Sequence, residues 1–410
     1  MNPTRRIVLG SAALAALLIA SGSLLPRTAA AQDTIKIGAP FNVTGALSSV
    51  DAPALNGAKL KVAEINAAGG VLGREIVPTC YDPKSSTADY RRFADRLLTE
   101  DGVNVIFGGL LSASRKALLG SLERRNGLLW YPGNYEGFEY SPNVIYTGAA
   151  PNQHTMQLAG YLISRIGKDI TLVGSDYVFP RETNRLLRHL VESAGGRIVD
   201  EIYVPIDPDE IAIRRAIDVI KRDRPAAVVS TIIGRGVRLF YRMYREAGLD
   251  PRVLPVGSLS LAETEVSKIG PEYCAGHITA AVYFGSVDSP ASRRFRTKFF
   301  KRFGNDSISS YYSESAYNQV YLFAAALERA GTDDPAKLVA AAGGIEFDAP
   351  QGRIIVDADN NHTWLHPRIG VLNESGDFDV VWEAGAAVKP DPYLINHSFD
   401  CGSMDAGMPH

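Results

Sequence analysis

The sequence contains little cysteine: three residues in 410, Cys80, Cys274 and Cys401. The number is odd, and the spacings match neither a zinc site nor a CxxC redox motif. Cys80 and Cys274 each end an apolar run, which predicts buried thiols, whereas Cys401 lies in a polar segment near the C-terminus. We therefore predict no disulfide.

The net charge is also small. Lys and Arg number 43 against 45 Asp and Glu, which gives a formal net charge of −2. Such a balance argues against a broad basic surface for nucleic acid or for an anionic membrane. With 410 residues, of which 46% are hydrophobic, the chain is long enough to bury two domain cores.

Catalytic signatures are missing as well. The sequence has no GxSxG nucleophile elbow, no phosphate-binding P-loop, no GxGxxG after a strand and no HExxH. His362 and His366 come nearest to a metal set, but two histidines without a close carboxylate pair make poor ligands. We predict that the protein is not an enzyme and has no metal and no cofactor.

Only the N-terminus carries a long apolar stretch. Arg5-Arg6 precedes apolar residues 11–25, and Ala29-Ala30-Ala31 follows them. This order is typical of a signal peptide, here residues 1–31, cleaved near Ala31. The paired arginines favour the twin-arginine (Tat) route, with the Sec route as the alternative. No later segment is long and apolar enough to span a bilayer. We expect export to the periplasm and no direct membrane insertion of the mature chain.

What the sequence does contain is a regular alternation of strand and helix patterns. Buried-strand runs such as TIKIGA (34–39) and NVIFG (104–108) alternate with amphipathic helices up to residue 149, and the pattern restarts after Pro151. Repeated βα units predict parallel sheets with helices on both faces. The predicted fold class is α/β, with two doubly wound lobes.

The alternation breaks after residue 284. Helices over 292–303 and 313–330 follow with no full strand between them, and a hairpin over 368–382 ends the pattern. A helix pair cannot bury both faces alone, so we expect it to return to the first lobe and the hairpin to the second. The chain would cross near 150, 284 and 345, forming a three-strand hinge that permits closure. Lobe 1 is then 33–150 plus 285–344, lobe 2 is 151–284 plus 345–395, and 396–410 is a tail.

The carboxyl ends of the strands predict a ligand cleft. Open α/β sheets bind ligands at those ends, and if the lobes face each other, five loops line one cleft. These loops are residues 108–112, 131–134, 174–179, 231–235 and 258–261. The ring-rich loop YPGNYEGFEYSP (131–142) would cover a small molecule on closing.

Candidate contacts in these loops are hydroxyls, an amide and rings. Ser112 at a helix start is a hydroxyl contact or only the N-cap. Asn134 can donate and accept, and Thr231 offers a hydroxyl at a strand end. The rings of Tyr131, Tyr135, Tyr177 and Phe179 stack over a ligand or merely pack the loops. Arg235 faces the cleft or lies on a solvated rim.

Several motifs resemble one known family. They are INAAGGVLG (65–73), SASRKA (112–117), YP (131–132) with YEG (135–137), SPN (141–143), APNQ (150–153), GSDYVFPR (174–181), FDAPQG (347–352) and PDPY (390–393). Together they make nearly the whole mature chain resemble type I periplasmic solute-binding proteins. The match is closest to the urea and short-chain amide branch, which includes the amide sensor of the aliphatic amidase operon.

The resemblance implies a pocket at Ser112, Tyr131, the two residues after Pro132, Tyr177, the loop after Thr231, and Tyr283. It implies an amide or urea ligand and, for an exported chain, ABC permease membrane subunits as partners. Gly133 and Asn134 stand where the relatives carry bulkier side chains, so the pocket suits a larger or more polar amide. The loop GSLSLA (257–262) has no acid, which favours a neutral ligand. An amide-sensing subunit that signals to a regulator is the alternative function.

Overall fold

The computed structural model describes residues 34–304 and 307–395. The predicted signal peptide, Cys401 and the predicted tail lie outside these residues. The described chain forms three β-sheets with helices packed around them.

The first sheet has five strands, all parallel, in the order β2-β1-β3-β4-β5. Its strands and the helices between them are β1 (Ile35–Pro40), α1 (Ser48–Ala67), β2 (Ile76–Tyr81), α2 (Thr87–Thr99), β3 (Val105–Phe107), α3 (Ser112–Arg125), β4 (Leu128–Tyr131) and β5 (Val144–Tyr146).

The second sheet has seven strands in the order β15-β14-β10-β9-β8-β6-β7. Strands β6 to β10 are parallel, and β14 and β15 add antiparallel at one edge. Its first elements are α4 (Thr155–Arg165), β6 (Asp169–Ser175), α5 (Val178–Ser193), β7 (Arg197–Val204), α6 (Glu210–Asp223), β8 (Ala227–Thr231), α7 (Arg235–Glu246), β9 (Val256–Ser258), α8 (Glu263–Ile269), α9 (Pro271–Cys274) and β10 (Ile278–Ala281).

The remaining elements come from the last third of the chain. They are α10 (Pro290–Phe303), α11 (Tyr311–Ala330), α12 (Pro335–Ala342), β11 (Glu346–Ala349), β12 (Gly352–Val356), β13 (Thr363–Trp364), β14 (Arg368–Leu372) and β15 (Phe378–Glu383). Several helices begin at side chains that accept a hydrogen bond from the first turn, as N-caps do. Examples are Ser86 before α2, Asp209 before α6 and Asp334 before α12.

The two large sheets share one strand order. In the first, β1 lies between β2 and β3; in the second, β6 lies between β7 and β8. This is the doubly wound α/β arrangement, and the predicted fold class is confirmed. The reversal of strand order opens a crevice at the carboxyl ends of the strands.

Helix α11 returns to the first lobe although it follows the second in sequence. It packs along α1 so closely that a Cβ on Gly57 would lie 1.9 Å from the Ser313 carbonyl oxygen. Farther along, its Phe323 ring makes edge contacts with Phe107 and Trp130 of the first sheet, at centroid distances of 5.2 and 6.1 Å. The chain thus passes between the lobes after β5, after β10 and before β14. How individual residues divide between the lobes stays a prediction.

The third sheet differs from expectation. Strand β12 was expected to return to the second lobe, but it pairs with β11 and β13 in a sheet of its own. That sheet contacts α11, and His362 forms a bridge with Tyr146 of the first sheet. The prediction of buried thiols is also wrong for Cys80, which is exposed because β2 is an edge strand; Cys274 is buried.

Candidate functional site

A cavity of about 30 Å³ lies between the two lobes at the carboxyl ends of their strands. Its lining is Val50, Leu110, Leu111, Ser112, Gly133, Asn134, Tyr177, Phe179, Thr231, Ile233, Leu259, Ser260 and Tyr312. All five predicted loops contribute, together with α1 and α11. Six of the eight predicted site residues are among them: Ser112, Gly133, Asn134, Tyr177, Phe179 and Thr231. Whether they contact a ligand stays a prediction.

The lobes touch directly around this cavity. The Tyr311 and Tyr312 hydroxyls at the start of α11 donate to the carbonyl oxygens of Leu259 and Ser260, at 3.3 and 3.4 Å. A cavity this small has room for little more than a water molecule. Admitting a larger solute therefore requires the lobes to separate.

Tyr131 and Tyr283, the other two predicted site residues, do not line the cavity. Tyr131 is fully buried, and its hydroxyl donates to the Leu110 carbonyl oxygen at 2.9 Å. The Tyr283 hydroxyl hydrogen-bonds the Ser292 hydroxyl at 3.0 Å, and its ring meets Phe295 edge-on. The structure gives both rings a packing role.

The ring-rich loop also packs on the protein itself. The Tyr135 ring stacks on Tyr146, with centroids 5.1 Å apart, and its hydroxyl lies 2.5 Å from Nε2 of His362. Phe138 and Tyr140 are exposed. The expectation that these rings cover a small molecule is therefore wrong for the loop beyond Asn134.

A buried cation explains why those rings gather. The Arg115 guanidinium, fully buried, lies between the Tyr131 and Tyr135 rings, 4.8 Å from each centroid. Its Nε donates to Glu139 at 2.6 Å, and an Nη donates to Glu136 at 3.0 Å. Burial alone would lower the pKa of Arg115, but Tyr131 and the two carboxylates outweigh it and hold that pKa well above its ordinary value. The guanidinium stays charged.

This network corrects the expected role of Ser112. Helix α3 begins at Ser112 itself, its N-cap is Leu111, and no side chain caps it. The Ser112 hydroxyl instead donates to Glu136 and accepts from Arg115 at 3.2 Å. The roles of Arg115, Glu136 and Glu139 were not predicted from the sequence. The signal available was spacing: Arg115 follows Ser112 by one helical turn, so both side chains share a helix face.

Gly133 and Asn134 serve the protein's own backbone. A Cβ on Gly133 would lie 2.0 Å from the Leu110 carbonyl oxygen and 2.6 Å from the Tyr131 hydroxyl. The missing side chain thus makes room for neighbouring protein atoms and does not enlarge the cavity, contrary to expectation. The Asn134 Oδ1 accepts from the Ala149 N–H at 3.1 Å. Its Nδ2 makes no hydrogen bond with any described residue and remains available as a donor.

The second-lobe wall consists of neutral groups. The Tyr177 hydroxyl makes no hydrogen bond with the described residues, and burial raises its pKa well above the ordinary value, so it keeps its proton. Thr231 Oγ1 lies 3.5 Å from the Val173 carbonyl oxygen, at the limit of a hydrogen bond. The Ser260 hydroxyl donates to the Ile232 carbonyl oxygen.

No side chain in the cavity lining carries a formal charge at neutral pH. Arg235, the predicted cleft cation, lies on an exposed rim and pairs with Asp207 at 2.7 Å. Two larger grooves, of about 600 and 640 Å³, lie elsewhere: one beside β15 and residues 286–288, the other beside α9 and the turn after β14. Neither groove shares a lining residue with the cavity between the lobes.

The described residues contain no group of three or more His, Cys, Asp and Glu side chains placed to hold a metal ion. Of the two histidines considered above, His362 stacks on Tyr146, and His366 Nε2 lies 2.9 Å from the Arg353 carbonyl oxygen. Among the helices in this part of the chain, none has the length and apolar character needed to cross a membrane.

Comparison with known proteins gives a family match along nearly the whole described chain. A family model for the periplasmic binding protein domain matches residues 35–398. The Leu/Ile/Val-binding protein homolog 6 of Brucella abortus (strain 2308) is 26% identical over 363 residues, 85% of this chain and 90% of that protein. A limonene hydroxylase of Geobacillus stearothermophilus is 30% identical over 137 residues, but the match spans only 33% of this chain and 25% of that protein.

Solved structures agree on the fold. A solute-binding protein of an ABC transporter from Rhodopseudomonas palustris BisB5, in complex with 3,4-dihydroxybenzoic acid, superposes with a TM-score of 0.80. It is 22% identical, and the match covers 87% of this chain and 99% of that chain. The chain therefore belongs to the periplasmic binding protein family, with the type I architecture of two α/β lobes, and this membership implies a periplasmic protein that binds a small molecule.

Proposed function

We propose that the protein is the exported substrate-binding component of an ABC transporter. It captures a small neutral carboxamide, or urea, in the cavity between its lobes and delivers it to permease membrane subunits. The observation that carries the proposal is the cavity lining, which combines hydrogen-bonding side chains, rings and aliphatic groups without a formal charge.

A charged ligand would find no partner of opposite sign in this lining. Burying an ammonium or carboxylate group without such a partner costs several kcal/mol. A carboxamide is neutral and both donates and accepts hydrogen bonds. Asn134 Nδ2 and the Tyr177 hydroxyl can donate to its oxygen, while hydroxyl oxygens accept from its nitrogen. The aliphatic side chains of Leu110, Leu111 and Ile233 suit an alkyl group better than they suit urea.

An aromatic acid is the second candidate ligand, and a specific observation favours it. Tyr177, Phe179 and Tyr312 present three rings to one small cavity. Stacking on a ligand ring would use all of them. The first turn of α3 also leaves backbone N–H groups unpaired within the helix, and these can hold a carboxylate. The relative bound to 3,4-dihydroxybenzoic acid makes this class a necessary part of any ligand panel.

Transport rests on the predicted export segment, and amide sensing for a regulator is the alternative. Deleting the gene and measuring uptake of a labelled amide separates the two. Loss of uptake supports transport. Normal uptake with a lost transcriptional response to amides supports sensing.

Titration calorimetry with acetamide, butyramide, urea, leucine and 4-hydroxybenzoate tests the ligand class. We expect heat with the amides, and we expect Tyr177→Phe to weaken amide binding by about three- to tenfold, because one hydrogen bond contributes about 0.5–1.5 kcal/mol. Tyr244→Phe is the matched control, since its hydroxyl donates to the Leu254 carbonyl oxygen away from the cavity. Binding of leucine or 4-hydroxybenzoate with no heat from any amide would reject the proposal.

A further inference from the structure

The Ser112 hydroxyl uses its proton in a hydrogen bond to another residue of the protein. It donates to one carboxylate oxygen of Glu136, and the other oxygen of that carboxylate accepts from Arg115 at 3.0 Å. Glu136 is almost fully buried and does not line the cavity. Glu136 forms an ion pair with the buried Arg115 guanidinium, and a carboxylate in such a pair accepts hydrogen bonds and does not donate them.

The remaining capacity of Ser112 can then be counted. A hydroxyl oxygen has one proton and two lone pairs. Glu136 takes the proton, and an Arg115 Nη donates to one lone pair at 3.2 Å. The neighbouring Tyr131 hydroxyl also lies within hydrogen-bonding reach of Ser112, but it directs its own proton to the Leu110 carbonyl oxygen and so does not donate to Ser112. One lone pair of Ser112 is left for the cavity.

We propose that Glu136 is a positioning residue that fixes Ser112 as a hydrogen-bond acceptor, so that the protein selects ligands that present an N–H or O–H donor to Ser112. This inference rests on the proposed function and deepens it. A primary carboxamide satisfies the requirement with its NH₂ group. A ketone of the same shape has no donor, and its methyl group leaves the Ser112 lone pair unpaired.

The fixed acceptor role of Ser112 also constrains aromatic acids, the competing ligand class. A carboxylate oxygen facing Ser112 would be repelled, because both groups are acceptors and neither supplies a proton. An aromatic acid could satisfy Ser112 only through a ring hydroxyl, with its carboxylate elsewhere. Donor placement, more than ring or chain size, is then the property that Glu136 controls.

The test compares isosteric ligand pairs that differ only in the donor. The pairs are acetamide with acetone and benzamide with acetophenone, titrated into the full-length protein. In the wild type we expect each amide to bind about tenfold or more tightly than its ketone, because an unpaired buried polar group is costly. In Glu136→Gln the side-chain NH₂ can donate to Ser112 and release the hydroxyl proton, so we expect the amide-to-ketone ratio to fall toward one.

Glu139→Gln is the matched control. Glu139 pairs with the same guanidinium, through Nε at 2.6 Å, but makes no hydrogen bond to Ser112. The ratio should stay at the wild-type value in this variant. A purely structural role of the network would move both variants alike, and such a result would overturn the inference.

Ser112→Ala provides a second route if Glu136→Gln does not fold. An acceptor-only hydroxyl predicts that this variant loses amide affinity and keeps ketone affinity, whereas a hydroxyl free to donate predicts losses in both. Amide binding in the wild type with an unchanged ratio in Glu136→Gln would refute the inference and leave the proposed function standing. A wild type that binds no member of either pair removes the inference and, with it, the carboxamide ligand of the proposed function.

Discussion

The two walls of the cavity present similar polar groups, but the residues that support those groups differ in charge. On the first-lobe wall, Ser112 is backed by the buried charges of Arg115, Glu136 and Glu139. On the second-lobe wall, Thr231 lies against the Val173 backbone carbonyl and Tyr177 against the Phe179 ring. Charges that cannot reorient fix the direction of a hydrogen bond, whereas a free hydroxyl turns to suit its partner. We therefore expect the first wall to discriminate between ligands and the second to adapt to them.

The largest expected effect is the difference in stability lost when a buried or an exposed arginine is removed. Arg115→Met should lower the free energy of unfolding by about 3–5 kcal/mol, because it leaves two carboxylates without their buried cation. Arg181→Met removes an ion pair to Asp176 in which both side chains are about half exposed, at 52% and 50%. It should change stability little, since water screens that pair.

Denaturant unfolding of the two variants at neutral pH measures this difference. Equal losses would mean that the network behind Ser112 is no more important to stability than a surface pair. The contrast between the walls would then be one of position only.

The next effect tests how tightly the first wall is packed. Gly133→Ala places a methyl group 2.0 Å from the Leu110 carbonyl oxygen, and we expect a loss of about 1–3 kcal/mol from overpacking. Gly385→Ala is the control because nothing lies within 4 Å of its added methyl, so its effect should stay within about 0.5 kcal/mol. Thermal unfolding checks both variants, and a neutral Gly133→Ala would show that the loop yields.

The smallest expected effect is a loss of folding stability as the pH falls. Burial lowers the pKa of His277, next to β10 of the second sheet, from 6.5 to about 3. Between these values the unfolded chain binds a proton that the folded chain does not, so stability falls as pH falls, by at most about 1.4 kcal/mol per unit. In the first lobe, burial would raise the pKa of Glu139, but Arg115 and Lys116 outweigh it and lower that pKa from 4.5. Its stabilising contribution is lost only below about that pH.

His277→Asn removes the pH-dependent contribution of His277 to the stability of the second lobe. The Val256 N–H donates to Nδ1 of His277 at 3.0 Å, and an asparagine oxygen can accept in its place. Between pH 6.5 and 5 the variant should lose less stability than the wild type, whatever its stability at pH 7. Parallel pH profiles from urea unfolding would contradict the assignment.

The cavity position was predictable because it follows from topology. The hydrophobic periodicity of strands and helices predicts two parallel sheets. The loops that follow the carboxyl ends of their strands are then the loops expected to meet. The partners of a single side chain were not predictable in this way. Ser112 has the residue type of an N-cap, and only the folded chain brings it against Glu136, 24 residues away. Likewise Tyr135 was an equal candidate for ligand contact until Arg115 and His362 were seen to surround it.

Short elements also escaped prediction. Strand β5 has three residues, Val144–Tyr146, too few to show a period. Strand β13 has two and pairs with β12, and the neighbouring His362 bridges to Tyr146 across more than 200 residues of sequence. Cys80 was mistaken for a buried thiol because an apolar run does not reveal whether its strand lies at the edge of a sheet.

Because α11 lies late in the sequence, the first lobe is completed late during synthesis. Helix α1 leaves the ribosome early, yet the surface it packs against is made only when residues 311–330 emerge, after all the parallel strands of the second lobe. The parallel strands β6 to β10 of the second lobe come from one continuous stretch, while the first lobe stays open along α1 until about four-fifths of the chain exists. A nascent chain stalled before residue 311 would therefore present an unfinished half to any chaperone that recognises exposed apolar helix surface.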